Sequence, residues 1–244
     1  MEIQYHKAYS PSLGRDMEYK TYGTSGRPLL VFPSQDGRFW DYEDFGMIAI
    51  LAPYIEQGRL RVICCDSIDK ETWSDEWGDG RRRSEQHERW YHYIVDELIP
   101  AVRYHDGEQL ITTGCSMGAF HAANFFFRRP DIFNAVVALS GFYHASLFFH
   151  DYCDDIVYNN SPLDFLPNMP ADHYYWDMYR RSQMIFCVGQ GNWEEVLLES
   201  TRRLDTLLCQ KGANARFDYW GYDVAHDWDW WRKQLAYFIP QLLK

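Results

Sequence analysis

The sequence predicts an α/β fold: one domain, residues 1–244, on a mostly parallel central sheet with helices on both faces and a cap-like insertion at about 142–181. Three observations carry this expectation. Six short apolar runs alternate with longer amphipathic stretches, the pattern of βαβ units. Most of those runs are apolar at successive positions rather than at every second one, as strands buried on both faces require. No repeat and no Pro/Gly/Ser linker divides the 244 residues, a length that suits one large domain with a substantial core.

The elements follow in order. Residues 2–9 and 15–22 read as an antiparallel hairpin added at the front. Residues 28–32 (Pro-Leu-Leu-Val-Phe) form the first core strand, stopped by Pro33. Residues 60–65 form the second, ending at Asp66. A helix over 84–104 places Trp90, Ile94, Leu98 and Val102 at i+4 spacing on one stripe. A third strand, 109–113, runs into a helix over 119–129, and a fourth covers 135–139. From 151 to 181 the alternation lapses into turns and many rings, which we read as an insertion over the sheet edge. A fifth strand at 184–188 leads to a helix over 194–210, with Val196, Leu197, Leu204, Leu207 and Leu208 apolar among charges. A sixth strand at 215–220 and a helix over 229–243 close the chain.

Composition excludes several classes of function. The chain carries 24 Lys+Arg against 35 Asp+Glu, a formal charge of −11, which disfavours nucleic acid and anionic membranes as partners. A hydrophobic fraction of 46% excludes a disordered chain. No apolar run approaches the roughly 18 residues that span a bilayer. The first 15 residues lack the apolar segment of a secretory signal. The six cysteines (64, 65, 115, 153, 187, 209) are scattered without CxxC or zinc-finger spacing, so reduced thiols in a cytoplasmic protein are expected. An Asp/His-rich stretch around His144, His150, Asp151, Asp154 and Asp155 lacks regular ligand spacing, and no metal or other cofactor is expected. The unusual feature is an aromatic fraction of 18%, which raises the question of what a ring-lined cleft would hold.

The chemistry centres on Gly114-Cys115-Ser116-Met117-Gly118, a G-x-S-x-G run between a strand and a helix. In that setting the turn is too sharp for flanking side chains, so glycines are needed. It lifts the serine hydroxyl above the sheet edge, while the helix start aims N–H groups at developing negative charge. The competing reading is a Gly-rich turn with a capping serine. A serine nucleophile needs a base and the base an orienting acid, in the chain order Ser, acid, His. His226 lies between the last strand and the last helix, where a loop returns it to the cleft. The acid should follow the fifth strand, in Gly189-Gln-Gly-Asn-Trp-Glu-Glu195. Asn192 occupies the first suitable polar position and carries no charge. Glu194 is therefore the choice, with Glu195 next and Asp223 and Glu199 as outside alternatives; a first-turn acid is also an ordinary helix-dipole complement. The backbone N–H of Met117, with that of Gln35 from the loop after residues 28–32, would form the oxyanion hole. Trp40, Phe142 and Trp228 are the expected pocket walls, although most rings near the cleft are expected to pack in the core or at a subunit contact, which leaves room for a homo-oligomer.

These residues together resemble the putative-esterase family of α/β-hydrolases, which includes the esterase D (S-formylglutathione hydrolase) type, feruloyl esterases and the antigen 85 mycolyltransferases. The resemblance spans about residues 29–242. It rests on the elbow, on Arg129-Pro-Asp-Ile-Phe133, on Leu139-Ser-Gly141 and on His226-Asp-Trp-Asp-Trp-Trp231, which matches the family's His-x-Trp-x-x-Trp. It implies an α/β-hydrolase fold, Ser116 as nucleophile, His226 as base and the Gln35 and Met117 amides as oxyanion donors. Asn192 departs from the Asp of many relatives; some, the mycolyltransferases among them, place a Glu further along, as Glu194 lies here. The implied activity is a serine esterase acting through an acyl-enzyme on small acyl or aromatic (feruloyl- or acetyl-type) esters, free or carbohydrate-linked. An acyltransferase and a non-catalytic binding protein of the same fold are the alternatives.

Overall fold

The structure is a computed structural model that describes residues 1–243. Its centre is an eight-stranded sheet in the order β1-β2-β4-β3-β5-β6-β7-β8. The strands are β1 (Ile3–Ser10), β2 (Arg15–Tyr22), β3 (Arg27–Phe32), β4 (Leu60–Cys65), β5 (Leu110–Cys115), β6 (Phe133–Leu139), β7 (Gln183–Val188) and β8 (Ala215–Tyr219). β1 and β2 form the expected hairpin, and β2 joins β4 antiparallel; every pairing from β4 to β8 is parallel. β4 and β5 are buried at all positions, which explains why they lack polar alternation.

Successive residues of each strand serve opposite faces. Leu30, Phe32, Ile63 and Cys65 pack against one helical layer, whereas Leu29, Val31, Val62 and Cys64 pack against the other. The first layer holds Trp90 and Ile94, Phe125 and Phe126 of the helix Met117–Arg128, and Leu204 and Leu208 of the helix Glu195–Gln210. The second holds Leu51 and Ile55 of a helix Met47–Glu56 with Leu235, Phe238 and Ile239 of the C-terminal helix Trp228–Leu242.

Two differences from the sequence expectation have physical causes. The helix Met47–Glu56 was not foreseen. Its residues are apolar on most sides and include Pro53, so no clean 3.6-residue stripe shows. The helix expected from 84 begins at Gly80, where Asp79 caps it by accepting a hydrogen bond from the Arg82 amide at 2.8 Å. It continues through a widened π-type stretch, Tyr93–Leu98, into Ile99–Val102. The wide turn lies just ahead of Pro100, whose ring would clash with the carbonyl four residues back in a regular helix.

The segment from 142 to 181 is more regular than expected. It holds four short helices, Ser146–Phe149, Asp155–Asn159, Pro162–Asn168 and Tyr175–Arg181. Its rings are mostly interior: Phe142, Tyr143, Phe148, Phe149 and Trp176 are buried, while Tyr174 is exposed. The Asp/His-rich stretch is not gathered into one site. His144 faces Asp164 at 3.1 Å, His150 faces Glu76 at 3.2 Å, and Asp154 caps its helix through the Val157 amide. Among the described residues no helix is long and apolar enough to cross a membrane.

Candidate active site

The elbow forms as its glycines require. Ser116 joins β5 to the helix Met117–Arg128 with φ 58° and ψ −122°, a left-handed conformation that an L-residue holds only under constraint. A Cβ on Gly114 would lie 2.3 Å from the Gly118 carbonyl carbon, and one on Gly118 would lie 2.4 Å from the Phe32 carbonyl oxygen. Only glycine permits both approaches. The Ser116 amide donates to the Leu139 carbonyl at 2.9 Å, tying the strained residue to β6. The adjacent Cys115 is a poor rival nucleophile, because burial, with Glu194 nearby, pushes its thiol well above the usual range.

His226 and Glu194 reach Ser116 from two loops that lock together. The loop after β7 lies so close to the loop after β8 that Cβ atoms on Gly189 and Gly191 would meet Val224 at 2.2 and 2.8 Å. The Gly191 amide donates to the Val224 carbonyl at 2.9 Å, and the His226 amide donates to the Asn192 carbonyl at 3.0 Å. His226 Nε2 stands 2.9 Å from Ser116 Oγ, and His226 Nδ1 stands 3.3 Å from Glu194 Oε2. Glu194 is fully buried, whereas Glu195, Glu199 and Asp223 are exposed, and only Glu194 of the four contacts the imidazole. Asn192 contributes its main chain and turns its side chain to solvent. Between it and Glu194, Trp193 takes φ 70° with its ring 82% exposed, so the backbone reverses there and sends the next side chain inward.

Two further residues, one of them given no role by the sequence reading, complete the network. Ser140, buried at the end of β6 with φ 55°, donates from Oγ to Glu194 Oε1 at 2.6 Å and accepts from the Trp231 indole N–H at 3.0 Å. Trp231 also sets its ring edge-on to His226, centroids 4.7 Å apart. The motif His-x-Trp-x-x-Trp pointed to Trp231, and Leu139-Ser-Gly141 was part of the family resemblance, but nothing in that run gave Ser140 a role in the site. The hydrogen bond from Ser140 fixes the orientation of the buried carboxylate that faces His226. Ser140→Ala is therefore expected to lower kcat by about tenfold, since losing the group that orients a functional side chain typically costs about 10–100-fold. Steady-state kinetics with KM changed less than the kcat checks it.

On the opposite side, β3 ends in the loop that carries Gln35. Among the described residues neither the Gln35 nor the Met117 amide donates to a protein acceptor, so both are free to donate to a ligand. The pocket expectations fare unequally. Trp40 and Trp228 are half-buried: the Arg38 guanidinium lies 4.4 Å over Trp40, and Trp228 stacks on Phe45 at 4.4 Å and packs edge-on against Trp231. Phe142 needs correction. It is 3% exposed and stacks on Phe120 at 4.5 Å, inside a cluster with Trp73 and Phe148, so it packs in the core rather than lining an open wall.

A family model described as "Putative esterase" matches residues 10–242. The chain belongs to this family. It is accordingly a serine esterase in class, a carboxylic ester hydrolase of the α/β-hydrolase fold. No curated protein matches the sequence of this esterase. Its fold is shared by solved structures of low sequence identity. A ferulic acid esterase is 15% identical, with TM-score 0.77, covering 99% of this chain and 98% of its own. The S-formylglutathione hydrolase of Staphylococcus aureus is 15% identical, with TM-score 0.71, 100% and 97% covered. Mycobacterium tuberculosis MPT51 is 13% identical, with TM-score 0.72, 100% and 98% covered.

Proposed function

We propose that this esterase hydrolyses small acyl or aromatic carboxylic esters through an acyl-Ser116 intermediate, with His226 as base and Glu194 as the acid that orients it. The observation that carries the reading is the 2.9 Å approach of His226 Nε2 to Ser116 Oγ, with Glu194 behind the ring. Ser116 Oγ attacks the ester carbonyl while His226 takes its proton. The imidazolium is held by the Glu194 carboxylate, and the oxyanion sits between the Gln35 and Met117 amides. As the intermediate collapses, His226 passes its proton to the departing alkoxide and the alcohol leaves. Water then attacks the acyl-enzyme with its proton going to His226, and the second collapse returns that proton to Ser116 and frees the acid.

Trp228, half-buried and packed on the Trp231 that faces His226, with the half-buried Trp40 of the Gln35 loop, suits an aromatic acyl group or a sugar-linked alcohol. The likeness to ferulic acid esterases in fold agrees with that preference. A fluorophosphonate probe followed by peptide mapping tests the chemistry. Label on Ser116, blocked by prior incubation with an aryl ester, is expected; a folded protein that takes no label there would refute the reading.

A further inference from the structure

The two amides proposed for the oxyanion hole belong to different parts of the chain, so something must fix their separation. Met117 rides on the elbow helix, and Gln35 sits in the loop after β3. That loop touches the elbow directly at its start, where Ser34 Oγ donates to the Cys115 carbonyl at 3.2 Å, and beyond that point it is held by the next loop along, which follows β4. Arg38 Nε donates to Asp66 Oδ1 at 2.6 Å, Ser67 Oγ donates to the Gly37 carbonyl at 3.1 Å, and the Gln35 side-chain amide donates to Ser74 Oγ at 3.1 Å. The Ser74 and Thr72 amides in turn donate to the Asp69 carbonyl. The Asp69 side chain then reaches the elbow helix, where His121 Nε2 donates to Asp69 Oδ1 at 2.9 Å.

This contact is unusual in its setting. His121 is 0% and Asp69 2% exposed, and rings of Phe32, Trp73, Trp90 and Phe120 surround the imidazole. His121 Nδ1 and Asp69 Oδ2 have no hydrogen-bond partner among the described residues. The neighbouring His87 cannot supply a charge, because burial pushes it down to about 3. Its own nitrogens are engaged with the Trp73 indole and with Asn160 Oδ1. A half-satisfied polar pair in an apolar core costs stability that apolar side chains of similar volume would not. An isolated, directional tie across a packed interface does offer one property those side chains lack, a fixed register between the loop and the helix.

We propose that His121 and Asp69 are a positioning pair that sets the spacing of the two oxyanion donors. The proposal rests on the oxyanion assignment given above. Neither residue touches substrate. Loss of the tie lets the loop after β4, and with it Gln35, shift relative to Met117. Displacements of about an ångström away from the reacting atoms can cost on the order of a hundredfold in rate.

The test compares Asp69→Ala, which removes the tie, with Asp69→Asn, which keeps an acceptor for His121. Ser74→Ala cuts the same chain at a half-buried position without touching the core. The readouts are kcat and KM on p-nitrophenyl acetate and the affinity for an arylboronic acid, whose tetrahedral adduct on Ser116 occupies the oxyanion hole. Asp69→Ala is expected to lower kcat about ten- to a hundredfold with KM within about threefold, and to weaken boronate binding by a similar factor. Asp69→Asn should restore most of both, and Ser74→Ala should move both in the same direction by less. Should Asp69→Ala fail to fold, Ser74→Ala decides. Wild-type kcat and boronate affinity in the folded variants, while Ser116→Ala loses at least about 10⁴-fold in kcat, would overturn the pair's role alone. A kcat in Ser116→Ala close to wild type would instead overturn the esterase mechanism on which it rests.

Discussion

Ser116→Ala is expected to reduce kcat on short p-nitrophenyl esters by about 10⁴–10⁶-fold while leaving thermal stability within a few degrees. The size follows from what is removed. Without the hydroxyl there is no acyl-enzyme, and His226 Nε2, now 2.9 Å from no nucleophile, can at best activate a poorly placed water. The oxyanion donors survive, so residual turnover above the uncatalysed rate is expected, on the order of 10³-fold. Stability should barely change, since the Ser116 amide, not its side chain, ties the elbow to β6. Alanine meets the same backbone strain at φ 58° that serine already bears. Single-turnover kinetics with mass spectrometry checks this. An acyl adduct in wild type and none in the variant is the expected result, and an unchanged kcat would refute it.

Glu194→Gln is expected to cost about 10³–10⁴ in kcat with KM nearly unchanged, because the analogous neutralisation in serine hydrolases costs about 10⁴. The amide is nearly isosteric, so the buried pocket formed with Ser140 remains filled. Its NH₂ can point at His226 Nδ1, which would leave the ring proton on Nε2, the nitrogen that must accept from Ser116. An uncharged partner also withdraws the charge that stabilises the imidazolium. Glu195→Gln and Asp223→Asn are expected to change kcat by less than about twofold, as exposed substitutions away from a site usually do. Asn192→Asp is not expected to rescue Glu194→Gln, since the residue 192 side chain points to solvent and only its carbonyl meets the His226 loop. A loss in Asp223→Asn equal to that in Glu194→Gln would reassign the acid.

The difficulty over the acid shows where sequence reading met its boundary. Asn192 occupies the position from which an acid commonly reaches the histidine, and Glu194 and Glu195 look equivalent at the start of an amphipathic helix. What separates them is the left-handed turn at Trp193, which sends Glu194 into the core and leaves Glu195 in solvent. A positive φ in a tryptophan has no sequence signature, because the constraint comes from packing of the β7 and β8 loops. The same holds for Ser140 and for the His121–Asp69 pair, each made by residues between 52 and 54 positions apart in the chain. Phe142 erred in the other direction. A ring after a strand end looks like a pocket wall until its stacking on Phe120 is visible.

The sequence by itself determined the β/α order, the elbow with its two obligatory glycines, and the chain order that puts His226 last. These are local properties: apolar runs, sharp turns and helix starts act through neighbouring residues. Only the tertiary structure decided which carboxylate meets the imidazole, which rings are buried in the core, and what braces the two sides of the site. Those depend on how loops from separate strand ends pack over one sheet edge, and burial there is a property of the whole chain rather than of any segment of it.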